Sequence, residues 1–391
     1  MKKKINLLLP IAGKAQRFLD QGYLMPKPLI KIFRKKDMID LALESIDTKH
    51  CNLIFIVRKS HIDEFEIKKI LRKKFGKNIS VIVSEKVTEG AVSTCLLAEK
   101  LIDNNDKLII FTPDVCFSKK WNPKSFKNDG HLLTFKSISP AHSYAKLNKA
   151  GHVIKTAEKE VISKNAAVGV YAFKHGKDFV YAAKELIKNN DRYNNEFYIC
   201  PTYNYLIKKD LKITTSEVEK MYVLGTPDDL KFYQRNVFTK FGTKTIGLCS
   251  DHSGINLKNK FLLECKKRKI KTIDFGCFSE EDKDYPDYVI LAAKAIKNGV
   301  ISHALGFCRS GQGVNITANK FKDIRSSIIF DAYTAQYAVE HNCSNFFSIP
   351  SKYVVTKEKI KKIIQILQNV SFDGGRHKIR IEKISEIESL K

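Results

Sequence analysis

The sequence predicts an α/β protein of two domains, each a sheet flanked by helices. Three observations carry that prediction. Apolar runs of strand length alternate with stretches of helical apolar spacing in the scaffold that runs from the start to about residue 240. The alternation stops at a short breaker, Phe241-Gly242-Thr243, and begins again at once. A chain of 391 residues is also longer than one core usually serves. The domains are set at 1–240 and 244–391.

The first run, Leu7-Leu8-Leu9, leads into Pro10-Ile11-Ala12-Gly13-Lys14-Ala15-Gln16-Arg17. A strand ending in a glycine turn, with two cations close behind, lets backbone N–H groups and side-chain charge converge on an anion. The same spacing also describes an ordinary strand-to-helix turn. Pro26-Lys27-Pro28-Leu29 follows. Residues 38–46 have helical spacing, and 53–57 form a continuous apolar run of strand length. Residues 62–75, 79–83, 91–101 and 108–111 continue as helix, strand, helix and strand. That order argues for a mostly parallel sheet, whose ligands gather at the carboxyl ends of the strands. Asp114 stands just past one such end. There a carboxylate serves either as a turn residue after Pro113 or as a ligand for Mg²⁺ held against phosphate oxygens. Glu89-Gly90-Ala91 opens the helix at 91.

Composition narrows the partners. Hydrophobic content of 43% with 28% charged residues describes a globular chain. The net charge of +27 suits a polyanion, yet the lysines are spread through stretches such as 68–74 and 357–362, which read as solvated helix faces. No nucleic-acid recognition motif accompanies them, so nucleic acid is not an expected partner. Nine cysteines are scattered with no pair closer than Cys265 and Cys277, which leaves neither a metal knuckle nor a disulfide framework and fits a cytoplasmic protein. Met1-Lys2-Lys3-Lys4 before the leucines imitates a signal peptide, but Pro10, Gly13 and Lys14 cut the apolar run short, and no run approaches a membrane span.

After the breaker, 245–249 is a fresh strand ending in Ser250-Asp251-His252-Ser253-Gly254. Segments 257–267, 272–275, 288–296, 304–308, 326–330, 332–341 and 346–349 then alternate helix and strand, enough for a doubly wound parallel-sheet domain. Cys308 ends a strand at a Gly-rich turn before a helix, a place that favours thiolate; a buried structural cysteine is the other reading. His341 falls at a helix C-terminus, where it also simply suits the dipole. Arg376 and Arg380, four apart, face one way on a helix and either grip one phosphate or belong to a charged tail.

The first half resembles the sugar-phosphate nucleotidyltransferase family. The resemblance rests on the Gly13 to Arg17 loop ahead of Pro26-Lys27-Pro28-Leu29, on Glu89-Gly90-Ala91, and on Phe111-Thr112-Pro113-Asp114. It continues through Ser143-Tyr144-Ala145-Lys146, Glu158-Lys159, Val168-Gly169-Val170-Tyr171, Asn195-Glu196-Phe197-Tyr198 and Leu224-Gly225-Thr226-Pro227-Asp228-Asp229-Leu230. It implies a GT-A-like, Rossmann-like mixed sheet. It also implies that Gly13, Lys14 and Arg17 hold the phosphates of a nucleoside triphosphate and Lys27 the phosphate of the second substrate. Backbone groups of Glu89, Gly90 and Ala91 would read the base, Glu158 the sugar hydroxyls, and Lys159 phosphate or sugar oxygens, with Mg²⁺ on Asp114. Two positions depart. Ala15 stands where many members have glycine, and Val223 where many have a second metal aspartate, for which Asp228 is the substitute in sequence.

Residues 245–384 resemble the ribose-5-phosphate isomerase B family, which includes the galactose-6-phosphate isomerase subunits. The motifs are Asp251-His252-Ser253-Gly254, Ile273-Asp274-Phe275-Gly276, Asp284-Tyr285-Pro286-Asp287-Tyr288, Cys308-Arg309-Ser310-Gly311-Gln312-Gly313, Ala318-Asn319-Lys320, Glu340-His341-Asn342 and Gly374-Gly375-Arg376-His377. By resemblance Cys308 is the base of an aldose–ketose exchange, and Ser310 with the turn amides at Gly311 and Gly313 stabilises the enediolate. His341 opens the ring, Arg376, Arg380 and His252 bind the substrate phosphate, and Asp251 and Asn342 contact sugar oxygens. No cofactor is implied. A homodimer or higher assembly through this domain is implied, with residues of both subunits in each site. Arg309 replaces a common glycine, adding a cation that points to a substrate other than ribose 5-phosphate, with an additional acidic group.

Together the resemblances imply a bifunctional enzyme of nucleotide-sugar biosynthesis: Mg²⁺-dependent nucleotidyl transfer, with CTP favoured, to a sugar or polyol phosphate, plus sugar-phosphate isomerisation. The alternative is a transferase with a non-catalytic, sugar-phosphate-binding regulatory domain.

Overall fold

In the computed structural model the residues described are 5–33, 36–238, 241–279, 281, 283–354 and 356–388. The Lys2 to Lys4 run and residue 240, the expected end of the first domain, lie outside them. Two compact units emerge, Met1–Leu230 and Lys231–Lys391.

The strands in chain order are β1 (Ile5–Pro10), β2 (Lys31–Phe33), β3 (Lys36–Asp37), β4 (Asn52–Arg58), β5 (Ser80–Ser84), β6 (Lys107–Phe111), β7 (Val115–Phe117), β8 (Gly130–Lys136), β9 (Ser143–Leu147), β10 (Val153–Glu158), β11 (Asn165–Phe173), β12 (Ile213–Glu217) and β13 (Met221–Val223) in the first unit. The second unit holds β14 (Ile246–Ser250), β15 (Thr272–Asp274), β16 (His303–Cys308), β17 (Ser326–Ile328) and β18 (Phe346–Pro350).

The main sheet of the first unit has nine strands in the order β10-β9-β11-β6-β1-β4-β5, with β8 beside β11 and β12 beside β8. β1 lies parallel between β4 and β6, and β11 runs antiparallel to β6, so the sheet is mixed. The continuous apolar runs follow from burial on both faces. Leu7, Leu9, Phe55, Val57, Ile109 and Phe111 pack on one face, and Leu8, Ile54, Ile56, Leu108 and Ile110 on the other. The chain leaves β1 toward β4 and returns to its far side at β6. Loops after β1 and β6 therefore leave the carboxyl ends of adjacent parallel strands where the strand order reverses, the place where open α/β sheets bind ligands.

In the second unit five parallel strands run β15-β14-β16-β18-β17. Ile246, Leu248, Leu305 and Phe307 face one core; Cys249, Ala304, Cys308 and Phe346 face the other. The equivalent switch falls between β14 and β16.

Two expected helices are each two. Residues 62–75 divide into Lys59–Phe65 and Ile67–Phe75 because Glu66 between them is left-handed, at φ 50°. Residues 91–101 divide into Ala91–Leu96 and Glu99–Ile102, where the amides of Leu97 and Ala98 reach back only three residues, to Thr94 and Cys95. All nine cysteines are buried. Among the described residues no helix is long and apolar enough to cross a membrane.

Candidate active sites

The loop after β1 leaves Gly13, Lys14 and Arg17 exposed, and neither cation has an ion-pair partner among the described residues. Ala15 caps the short helix Gln16–Leu19 in the left-handed conformation, φ 54° and ψ 37°. The loop thus takes a shape natural to glycine without having one there. Farther on, Pro26 leads into the 3₁₀ turn Lys27–Leu29, which sets Lys27 Nζ 3.1 Å from Asp114 Oδ2.

Asp114 is fixed through its backbone. Its N–H donates to Thr112 O at 2.9 Å and its carbonyl accepts from Leu224 N–H at 2.7 Å. β7 and β13 then pair with Val115 opposite Val223, an apolar contact that offers no second ligand. Asp114 and Asp229 both approach Gly225: a Cβ there would lie 3.8 Å from Asp114 Oδ2 and 3.9 Å from Asp229 Oδ2. Asp229 Oδ2 already accepts from Thr226 N–H at 3.1 Å and Thr226 Oγ1 at 2.7 Å, while the sequence candidate Asp228 is exposed. The donor set suits Mg²⁺, which commonly takes one or two carboxylates and completes its shell with phosphate oxygens and water.

Glu89-Gly90-Ala91 is clamped to the segment before Tyr198. Phe197 N–H donates to Glu89 O at 2.8 Å, Val92 N–H donates to Phe197 O at 3.1 Å, and Arg192 Nη2 lies 2.9 Å from Glu89 Oε2. Gly90 is obligatory at this crossing: its φ is 118°, and a Cβ would stand 2.5 Å from Phe197 N. On the other side of that segment Lys159, itself at φ 53°, donates to Tyr198 Oη at 3.1 Å and lies 5.2 and 5.0 Å from the ring centres of Tyr193 and Tyr198. Ser143 Oγ donates to the Glu158 carboxylate. Burial pushes the Glu158 carboxyl up, opposed by the Ser143 bond and the Lys159 charge. A cavity of about 250 Å³ opens here, lined in part by Glu158, Arg192, Tyr193 and Tyr198. Arg192 and Tyr193 are not singled out from sequence, and Tyr198 enters there only as the last residue of the Asn195 to Tyr198 motif; the aromatic run on either side of Asn195 is the available signal.

In the second unit, Cys308 ends β16 with 4% exposure, and its Sγ accepts the Gly311 N–H at 3.1 Å. Gly311, at φ 76°, turns the chain into the helix Gln312–Ala318. Ser310 Oγ accepts from Gln312 N–H at 3.3 Å, and Gly313 makes room for Tyr285, whose ring a Cβ there would meet at 2.3 Å. Asp251, at the end of neighbouring β14, accepts from Ser253 Oγ at 2.7 Å and Gly254 N–H at 2.8 Å through Oδ1. Lys283 N–H donates to His252 Nδ1 at 3.2 Å.

A second cluster gathers the other sequence-predicted residues. His341 closes the helix Ala332–Glu340, and its ring stacks on His377 at 4.1 Å and 11°. His377 opens the helix Gly375–Ile387, accepts from Arg376 Nε at 3.3 Å, and has its pKa lowered by burial and by His341, Arg376 and Arg380. Arg376, Arg380 and Asn342 are exposed. Asp373, whose carboxylate lies within 4.8 Å of the ring nitrogens of both histidines, completes the group. The stacked rings direct their in-plane lone pairs along parallel planes, a poor arrangement for one shared metal ion.

The two clusters sit at opposite edges of the sheet. Cys308 lies at the carboxyl end of β16, whereas His341 ends a helix that leads into the amino end of β18, and these strands are parallel neighbours. The five residues of β18 span about 16 Å. No hydrogen bond joins Cys308 to His341 within the chain.

Comparison with known proteins follows this division. Residues 7–218 match the nucleotidyl transferase family model and residues 246–384 the ribose/galactose isomerase model. Ribose-5-phosphate isomerase B of Escherichia coli K12 is 35% identical over 145 residues, 37% of this chain and 97% of its own length. The Clostridium thermocellum ribose-5-phosphate isomerase B structure is 36% identical, covering 37% of this chain and 98% of that one at a TM-score of 0.36. A nucleoside-diphosphate-sugar pyrophosphorylase from Vibrio cholerae RC9 shares the fold of the first unit at 24% identity, covering 59% of this chain and 99% of that one with a TM-score of 0.51.

Proposed function

Since this chain belongs to the nucleotidyl transferase family through residues 7–218 and to the ribose/galactose isomerase family through residues 246–384, we propose that it is a bifunctional enzyme that activates a sugar or polyol phosphate with a nucleotide and interconverts an aldose and a ketose phosphate. The observation that carries the transferase half is the Lys27–Asp114 pair, 3.1 Å apart at the ligand crevice of the mixed sheet. Lys14 and Arg17 draw the triphosphate to the Gly13 loop, the 89–91 backbone reads the base, and Lys27 holds the incoming phosphate. One of its oxygens attacks the α-phosphorus in line, and pyrophosphate leaves. Such transfers depend on positioning and on neutralising charge. Asp114 would hold Mg²⁺, which when bound neutralises phosphate charge; Glu158 and Lys159 receive the sugar.

In the isomerase half Cys308 takes a proton from one of C1 and C2 and returns it to the other. Gly311 and Gly313 amides with Ser310 hold the enediolate oxygen, and Asp251 keeps Oδ2 for a sugar hydroxyl. His341, Asn342, Arg376 and Arg380 would come from a second copy, since the parallel sheet separates them from Cys308 in one chain. A homodimer then completes two sites.

An isomerase of this kind leaves phosphate on the terminal carbon, so a transferase acting on the same skeleton takes a terminal phosphate, which favours a cytidylyl donor. The test is incubation of the full chain with Mg²⁺, each NTP and a panel of pentose and heptose phosphates. Pyrophosphate release with CTP is expected; if no combination releases pyrophosphate, the transferase reading is lost. If the Cys308→Ala variant retains exchange, Cys308 is not the base and the alternative of a sugar-phosphate-binding regulatory unit gains.

A further inference from the structure

Arg58 was passed over in sequence because nothing around it marks a motif. It ends β4, the parallel neighbour of β1, two residues beyond the Pro10–Ile56 pair, so it stands at the same sheet edge as the Gly13 loop. Its Nη2 donates to Gly13 O at 3.4 Å and faces His61 Nε2 at 3.3 Å. Its Nε is buried with no hydrogen-bond partner. Among the described residues no carboxylate comes within ion-pair distance of the guanidinium, although its neighbour Lys59 has Glu85 at 3.8 Å. His61 is 6% exposed, and its Nδ1 also lacks a partner.

A half-buried guanidinium without a counter-ion is unfavourable unless a ligand supplies one. Arg is also the side chain best shaped to take two phosphate oxygens at once. Here it is carried on a strand rather than on the exposed loop that bears Lys14 and Arg17, so its position is set by the sheet.

We propose that Arg58 is a further triphosphate-binding residue of the transferase site, taking the pyrophosphate portion of the nucleotide above the Gly13 loop, and that His61 is the positioning residue that aims it. The proposal rests on the transferase reading above and adds to it a cation whose position is fixed by the sheet. His61, packed against the guanidinium, keeps Arg58 turned toward Gly13 instead of into solvent.

The test uses the full chain with inorganic pyrophosphate and Mg²⁺ as the probe, followed by calorimetric titration, with CMP as the control lacking the pyrophosphate portion. Arg58→Gln is expected to weaken pyrophosphate binding at least tenfold while changing CMP binding less than twofold, and His61→Ala to raise the KM for the triphosphate several-fold with a smaller change in kcat. Arg58→Lys, which keeps the charge and most of the packing, is expected to fall between Arg58→Gln and wild type, and it serves if the glutamine variant does not fold. A purely structural tether would lower the melting temperature and leave pyrophosphate affinity unchanged, and that result overturns the proposal while wild-type turnover keeps the transferase reading intact. Wild-type protein that neither binds nor releases pyrophosphate removes both.

Discussion

Lys27 and Asp114 are 87 positions apart and meet at 3.1 Å, while Cys308 and His341 are much closer in sequence and share no hydrogen bond. Strand order explains the contrast. In the first unit the loops after β1 and β6 leave the same sheet edge from adjacent strands, so whatever they carry converges within one chain. In the second, the loops after β14 and β16 do the same for Asp251 and Cys308. His341, however, belongs to a connection entering the next parallel strand, and a right-handed crossover delivers such a residue to the other edge. Topology thus brings the first unit's candidate residues together within one chain and holds Cys308 and His341 apart in the second, the contrast on which the proposed two-copy site rests.

The largest effect should come from breaking the shared site. Cys308→Ala and His341→Ala should each lower isomerisation by about 10²–10⁴-fold, as loss of an acid or base does. Mixed in equal amounts and allowed to exchange subunits, the two dead variants should regain about a quarter of wild-type activity, since half the dimers are mixed and each restores one site of two. No recovery after proven exchange would put both residues in one chain's site and defeat the contrast. Asp114→Asn should cost transfer about 10²–10³-fold, and mixing it with Lys27→Ala should restore nothing, because both residues serve the same chain. Pyrophosphate release before and after mixing measures it.

Much of this was legible in the residues. The runs at 7–9, 53–57 and 304–308 mark strands buried on both faces, and the turns that follow them carry Gly13 and Cys308. What escaped depends on long-range placement. Arg58 earns significance only because β4 pairs with β1, and Arg192 only because it reaches Glu89. The break at Glu66 left no mark, since a glutamate in a left-handed conformation looks like any other helix former in a periodic stretch. Asp229 rather than Asp228 approaches Gly225 together with Asp114 because the turn at Thr226 holds one of two adjacent carboxylates, which spacing does not resolve.

Acid should soften both units, by a smaller amount than loss of a catalytic group changes rate. Burial lowers His61 and His131 to about 4 in the first unit, with Arg58 adding to it at His61, and burial with Arg325 lowers His303 to about 4 in the second. A histidine depressed on folding binds its proton better in the unfolded chain. Its contribution is complete above the unfolded value near 6.5 and is lost as pH falls toward 4. Melting temperatures should therefore hold steady from pH 8 to 7 and drop between 6.5 and 4, and replacing His303 with Asn should flatten the second unit's share. A melting temperature constant down to pH 4 would show that these rings are not held neutral.

The smallest effect makes the sharpest comparison, because both units use a left-handed residue to turn from a central strand into a helix, Ala15 in one and Gly311 in the other. An L-residue in that conformation costs about 1–2 kcal/mol, against which glycine loses about 0.5–1 kcal/mol more backbone freedom on folding. Ala15→Gly should therefore stabilise by roughly 0.5–1 kcal/mol, the balance of those terms. Gly311→Ala should destabilise by roughly 0.5–1 kcal/mol on the same balance, with a further cost because its Cβ would lie 3.3 Å from Pro350 Cδ. Chemical denaturation of the two variants reads both signs. If they move together, the left-handed turn is not what separates the two loops, and the glycine in the isomerase loop serves the approach of substrate to the Cys308 sulfur instead.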